Sequence, residues 1–97
     1  MTEDEFAGRI IDLARLRGWR VVHYRPCQTK KGWRTPLQGD RGAPDLILAR
    51  RGRVLLVELK SDKGTLRPGQ REWGVELGDH YRLWRPRDWD QVLRELR

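Results

Sequence analysis

The chain has 97 residues with 21 Lys and Arg against 14 Asp and Glu, a formal net charge of +7 and a pI near 10.5, a balance that suits a polyanionic partner. At 37% hydrophobic and 36% charged residues, it is expected to fold as a single domain over 1–97 around a modest core. Cys27 is the single cysteine, which excludes an internal disulfide and a cysteine zinc cluster. No apolar run nears membrane-spanning length and nothing resembles a signal peptide, so a soluble, cytoplasmic protein without a membrane partner is expected.

Residues 2–17 predict a helix. Thr2 is the expected N-cap, and Glu3, Asp4 and Glu5 fill the first turn, where the helix dipole favours acids. Phe6, Ile10, Leu13 and Arg17 follow one stripe, widened by Ile11 and Ala14, and Gly18 closes the helix. Residues 19–25 read as a strand. From Pro26 to Ala43 runs a loop rich in Gly, Pro, Lys and Arg with Trp33 as its one large apolar residue, a length that points to function or disorder. Pro68 is expected to open a second helix with Trp73, Leu77 and Val75 on its buried side and Gly78 at its end. Residues 80–85 form a last strand, and Pro86 starts a closing helix with Trp89, Val92, Leu93 and Leu96 inward.

Between these, Pro44 to Ala49 and Val54 to Lys60 are two apolar, β-rich runs flanking Arg50-Arg51-Gly52-Arg53, a strong hairpin signal. A two-residue loop at Arg51-Gly52, or a four-residue loop over 50–53, sets Asp45 opposite Glu58, with Cβ atoms roughly 4.5–5.5 Å apart. Lys60 then points to the same face. A three-residue loop slides the register and sets Asp45 opposite Val57. Because Val54 to Val57 is apolar throughout, the second strand is expected to be buried on both faces, with Glu58 at its end. Two opposed carboxylates on an apolar hairpin call for a cation between them, and a hard divalent ion is the natural candidate.

Glu3 shares the stripe of Phe6 and Ile10 and is the first-helix acid expected at the site, whereas Glu5 lines up with Arg9 and Asp12. Lys60 can orient an attacking water and balance charge on a phosphate. Gln70, in the first turn of the second helix, can bind a water or a phosphate oxygen.

Gly42-Ala43-Pro44-Asp45-Leu46, Glu58-Leu59-Lys60, and Gly64 through Gln70 to Trp73 together resemble the VRR-NUC group of the PD-(D/E)xK nucleases. The opening helix ending in Gly18-Trp19 and the Gly78 to Trp84 segment fit the same order of motifs. Ala43 departs from the bulkier apolar residue common before the Pro-Asp pair. The resemblance implies a restriction-endonuclease-like α/β fold, a mixed sheet flanked by helices in the order α-β-β-β-α-β-α. It also implies a Mg²⁺- or Mn²⁺-dependent endodeoxyribonuclease, with metal at Asp45, Glu58 and the Leu59 main-chain carbonyl. By the same resemblance Lys60 is the catalytic lysine, Gln70 the helix glutamine and Glu3 the first-helix acid joining the metal group.

Small stand-alone relatives resemble Holliday-junction resolvases and act as homodimers, so the expected function is cleavage of four-way or other branched DNA in a phage or a bacterial nucleoid. Trp84 and Trp89 are the candidate dimer surface. Lys30, Lys31, Arg34, Arg41 and Lys63 are the expected nucleic-acid contacts. The competing readings are a basic binding module without catalysis, a nuclease acting on flaps or RNA, and metal-free hydrolysis through His23, which the distance to His80 along the chain disfavours.

Overall fold

Helix α1 (Glu3–Leu16) starts where the Thr2 hydroxyl accepts from the Glu5 N–H and the Glu5 carboxylate accepts from the Thr2 N–H, satisfying two backbone donors reciprocally. It stops at Gly18, whose φ of +84° turns the chain so that the Gly18 and Trp19 N–H groups donate to the Arg15 and Ala14 carbonyls. The computed structural model describes residues 1–25 and 37–97 in full and, between them, the backbone of strands at 27–29 and 32–34.

The main sheet holds β1 (Arg20–His23), β4 (Leu46–Arg50), β5 (Arg53–Leu59) and β6 (Tyr81–Trp84), side by side in the order β1-β4-β5-β6. The first three pair antiparallel and β6 joins β5 in parallel, a pairing that needs a crossover connection. Helix α2 (Pro68–Leu77) supplies it, and α3 (Trp89–Glu95) closes the fold after a short 3-10 turn over Pro86–Asp88. The result is the expected mixed sheet flanked by helices. The stretch read as a loop carries an additional hairpin, β2 (Cys27–Thr29) with β3 (Gly32–Arg34), in the register Cys27 to Arg34 and Thr29 to Gly32. Its strands are three residues long and the two residues between them are lysines, so neither alternation nor turn chemistry announces it.

Arg50 pairs with Arg53 and Leu46 with Val57, and Arg51 and Gly52 have φ of +50° and +83°. Two successive left-handed residues are what a two-residue hairpin turn of type I′ requires. The turn therefore fixes the register in which Asp45 and Glu58 come next on opposed strands.

Residues Leu46, Leu48, Leu55, Val57, Leu59 and Trp84 share one sheet face, and Phe6, Ile10 and Ala14 of α1 with Val92 and Leu96 of the last helix pack on it. The other face, bearing Leu56, Glu58 and Tyr81, lies under α2 and is only half covered apart from Glu58. The expectation of a strand buried on both faces thus holds for one face and the far end of the other. Helix α2 completely buries no residue. Trp73 and Leu77 are half-buried, but Val75 is 79% exposed, a correction with a simple cause: residues two apart on a helix do not share a face.

Both tryptophans expected at a dimer surface serve the monomer. Trp84 is 0% exposed. Trp89 packs edge-on to Phe6 at 6.4 Å, with the Arg9 guanidinium 4.4 Å from its ring centre. Trp84 therefore lies within the core and offers no surface to a second chain, while Trp89 is partly buried against that core. Among the described residues no helix is long and apolar enough to cross a membrane.

Candidate active site

Asp45 leaves the loop just before β4 and Glu58 nearly ends β5, so the hairpin register brings the two acids together on the α2 side of the sheet. One Asp45 oxygen accepts the Leu59 N–H at 2.9 Å. In an extended strand the N–H and C=O of one residue point the same way, so the Leu59 carbonyl also faces the Asp45 side. Glu58 is 2% exposed. Its Oε1 accepts from Gln70 Nε2 at 2.9 Å and lies 3.6 Å from Lys60 Nζ, while Oε2 is buried without a hydrogen-bond partner. Such an orphaned carboxylate oxygen is costly unless something else meets it.

Gln70 is held from behind, its Oε1 accepting the Arg67 N–H at 2.8 Å at the start of α2. Its position depends on a close backbone crossing. Gly42 has φ of +95°, and a Cβ there would lie 2.6 Å from the Gly69 carbonyl carbon and 2.7 Å from the Gln70 nitrogen. Gly42→Ala is accordingly expected to cost at least about 2 kcal/mol, through left-handed strain and backbone overlap, and to move Gln70 off Glu58. Denaturant unfolding measures the first effect. A wild-type midpoint would contradict the crossing.

On the other flank the loop after Lys60 is tied down by the Arg85 guanidinium donating to Gly64 O at 2.8 Å and the Arg87 N–H donating to Asp62 at 3.1 Å. Glu5 is engaged in the Thr2 cap, and Glu3 is the acid of α1 within electrostatic reach of Asp45 and Lys60. Arg41 and Lys63 are exposed beside these two flanks. Lys30 and Lys31 lie outside the described residues, as do the side chains of Arg34 and Trp33.

All three acids are pushed towards the protonated form. Burial and then the Asp45 charge raise Glu58 to about 8. Asp45 is raised chiefly by burial, against the opposing Leu59 hydrogen bond. Glu3 is raised by burial and by Asp45. Acids desolvated and crowded together in this way make the cluster a candidate functional site.

Tyr81 was not singled out by the sequence. Its ring lies against Gly74 of α2, where a Cβ would come within 2.9 Å. The hydroxyl is buried without a partner, and burial with the Glu58 and Asp45 charges pushes it up to about 12. Strand alternation places Tyr81 on the face of Glu58, but no motif marks it. His23, opposite Leu46, senses Asp45 while burial and Arg25 lower its pKa. His80 sits 3.2 Å from the Val54 carbonyl at the other end of β5, so the two histidines do not form one site.

The residues present fit a hard divalent cation. Among the described residues no three Asp, Glu, His or Cys side chains are gathered tightly enough to hold an ion by themselves. Asp45, Glu58 and the Leu59 carbonyl offer instead two carboxylates and one main-chain oxygen, the donor type that Mg²⁺ and Mn²⁺ take. A cation there would meet the orphaned Glu58 oxygen and favour the ionised form of all three acids against the burial that raises them. Neither protein-family models, nor curated proteins, nor solved structures match this chain.

Proposed function

We propose that the chain is a Mg²⁺- or Mn²⁺-dependent endonuclease of the PD-(D/E)xK type, close in pattern to the VRR-NUC group, that hydrolyses phosphodiester bonds in branched DNA. The observation that carries this reading is the buried Glu58 carboxylate beside Asp45, with an unpartnered oxygen and an adjacent lysine, on a chain of net charge +7.

When bound, the cation supplies Lewis-acid polarisation of the phosphate and a more acidic water. The chain supplies the rest. Asp45 and Glu58 with the Leu59 carbonyl would hold the ion. The Leu59 N–H fixes Asp45, and Gln70 fixes Glu58 from the helix side. Lys60 is 3.6 Å from Glu58 and is placed to donate to a phosphate oxygen as charge builds there. Glu3, at the rim, adds negative potential that favours the ion, and Tyr81 lies beneath Glu58 as a neutral hydroxyl.

A four-way junction is cut on two opposing strands, and the described residues of one chain form one such site. A symmetric pair of chains matches the symmetry of that substrate, through a surface other than the Trp84 and Trp89 region. Flaps and RNA are the alternative substrates. A panel of four-way junction, flap, splayed-arm, plain duplex and structured RNA in Mg²⁺ separates them. Preferential nicking of the junction at paired positions supports the proposal, and equal cutting of RNA moves the assignment to a ribonuclease.

Binding measured in EDTA is expected to weaken steeply with salt, log K falling with log salt at a slope of about −0.9 per phosphate neutralised. Arg41, Lys63 and the Lys30-Lys31 pair should supply part of it. If Lys30→Ala with Lys31→Ala leaves the slope unchanged, that segment makes no DNA contact.

A further inference from the structure

An open, shallow concavity lies away from the carboxylates. It lies at the opposite end of the sheet, where Arg17, Arg20, Arg50 and Arg51 with Gly18 and Gly52 line a cleft of about 400 Å³. Among the described residues, none of these four arginines pairs with an aspartate or glutamate. Residues 26–36 contain no acid that could do so.

The cluster is built rather than scattered. Arg17 Nη1 donates to the Leu93 carbonyl at 2.6 Å, and Arg50 Nη1 donates to the Arg17 carbonyl at 2.8 Å. Arg50 also donates to the main-chain oxygen of Arg97, and its guanidinium stacks 4.7 Å from the centre of the Trp19 ring. Trp19 is itself buried and anchored through its Nε1 to the Leu96 carbonyl at 3.1 Å. Two cations are thus locked in place by main-chain oxygens and an aromatic face. Arg20 and Arg51 stand exposed beside them, and among the described residues neither makes a side-chain hydrogen bond.

Four like charges held around one cleft repel each other, and an anion offsets that cost. Guanidinium forks match phosphate oxygens in particular. We propose that this cleft is a second phosphate-binding site, taking the sugar–phosphate backbone of the nucleic acid at a point remote from the bond that is cut. The identity of the ligand rests on the nuclease reading above; the cleft and its arginines do not.

The spacing suits a duplex arm. Asp45 and Arg50 stand five positions apart along β4, which at roughly 3.4 Å per residue is ~17 Å. With DNA rising about 3.4 Å per base pair, that span is about five base pairs, or half a helical turn. Half a turn carries the scissile strand to the far side of the duplex and brings its complement to the near side, so an arm lying along the hairpin presents a phosphate of the complementary strand to the arginines while the scissile one meets Glu58.

The test is affinity against salt in EDTA for the full chain with a branched DNA carrying arms of about ten base pairs. Wild type is compared with Arg20→Gln/Arg51→Gln and Arg20→Lys/Arg51→Lys. Both side chains are exposed, so melting temperatures should be unchanged. The glutamine pair should flatten the slope by about 1 to 2, roughly 0.9 for each phosphate no longer neutralised, and the lysine pair should keep the wild-type slope. Cutting the arms to about three base pairs should erase the difference between wild type and the glutamine pair. An unaltered slope in the folded glutamine pair overturns the proposal. So does a variant that loses only a melting shift caused by inorganic phosphate, since the cleft would then serve small anions. Cleavage in Mg²⁺ is scored separately: a changed slope without any cleavage keeps the cleft and removes the nuclease reading.

Discussion

Asp45→Asn and Glu58→Gln are each expected to lower Mg²⁺-dependent cleavage of a four-way junction by more than about 10³-fold, because each removes a charged oxygen donor from the metal group. Lys60→Ala should join them, since Lys60 is the cation beside Glu58. Binding in EDTA should hold in Glu58→Gln, whose carboxyl is already neutral below about pH 8 in the absence of a cation, and should hold or tighten in Asp45→Asn, which removes an acid facing a phosphate. The folds should survive, since the Leu59 N–H still meets an oxygen at position 45 and Gln70 still meets one at position 58. Quenched-flow or gel-based single-turnover rates at saturating DNA give the measurement. Full activity of Asp45→Asn at saturating Mg²⁺ would remove Asp45 from the site.

The second large effect is on stability. Glu58 in the folded chain keeps its proton to about pH 8, whereas an unfolded glutamate ionises near 4.3. Between those limits the native state holds the extra proton, so stability falls as pH rises through the window and levels off above it. Asp45 and Glu3 are shifted in the same direction. In EDTA the melting temperature should therefore drop between about pH 5 and pH 8, by on the order of 10 °C for a domain of this size. Glu58→Gln should melt higher than wild type at pH 8 and lose most of that slope. Mg²⁺ or Mn²⁺ should restore the wild-type melting temperature at pH 8 and do little at pH 5, because the ion binds the ionised carboxylates in competition with protons. A flat profile in EDTA would mean that Glu58 is ionised in the folded chain without a cation.

The hairpin shows why so much of this site could be read in advance. Arg51-Gly52 permits a two-residue turn, strand periodicity is strict, and together they set Asp45 against Glu58 with Lys60 on the same side. Thr2 and Gly18 marked the ends of α1 for the same reason, since caps are local chemistry. What the sequence withheld depends on contacts between distant segments. Gly42 was visible as part of a motif, but its reason, the crossing against Gly69 and Gln70, exists only in three dimensions. Trp84 and Trp89 read as surplus aromatics, and only the packing of α1 and α3 on the sheet shows that Trp84 belongs to the core and that Trp89 packs partly buried against it. Tyr81 carries no local signal at all, and neither does the arginine cleft, whose residues come from the end of α1, the start of β1 and the hairpin turn.

Single-turnover incubation of a labelled four-way junction with the purified chain in Mg²⁺ and, in parallel, in EDTA decides whether the chain is a metal-dependent nuclease. Endonucleolytic products carrying 3′ or 5′ ends within the arms should appear in Mg²⁺, vanish in EDTA and return when Mg²⁺ is restored in excess, while the junction stays bound throughout. A bound junction that remains intact in both Mg²⁺ and Mn²⁺, or one cut equally well in EDTA, would contradict the account.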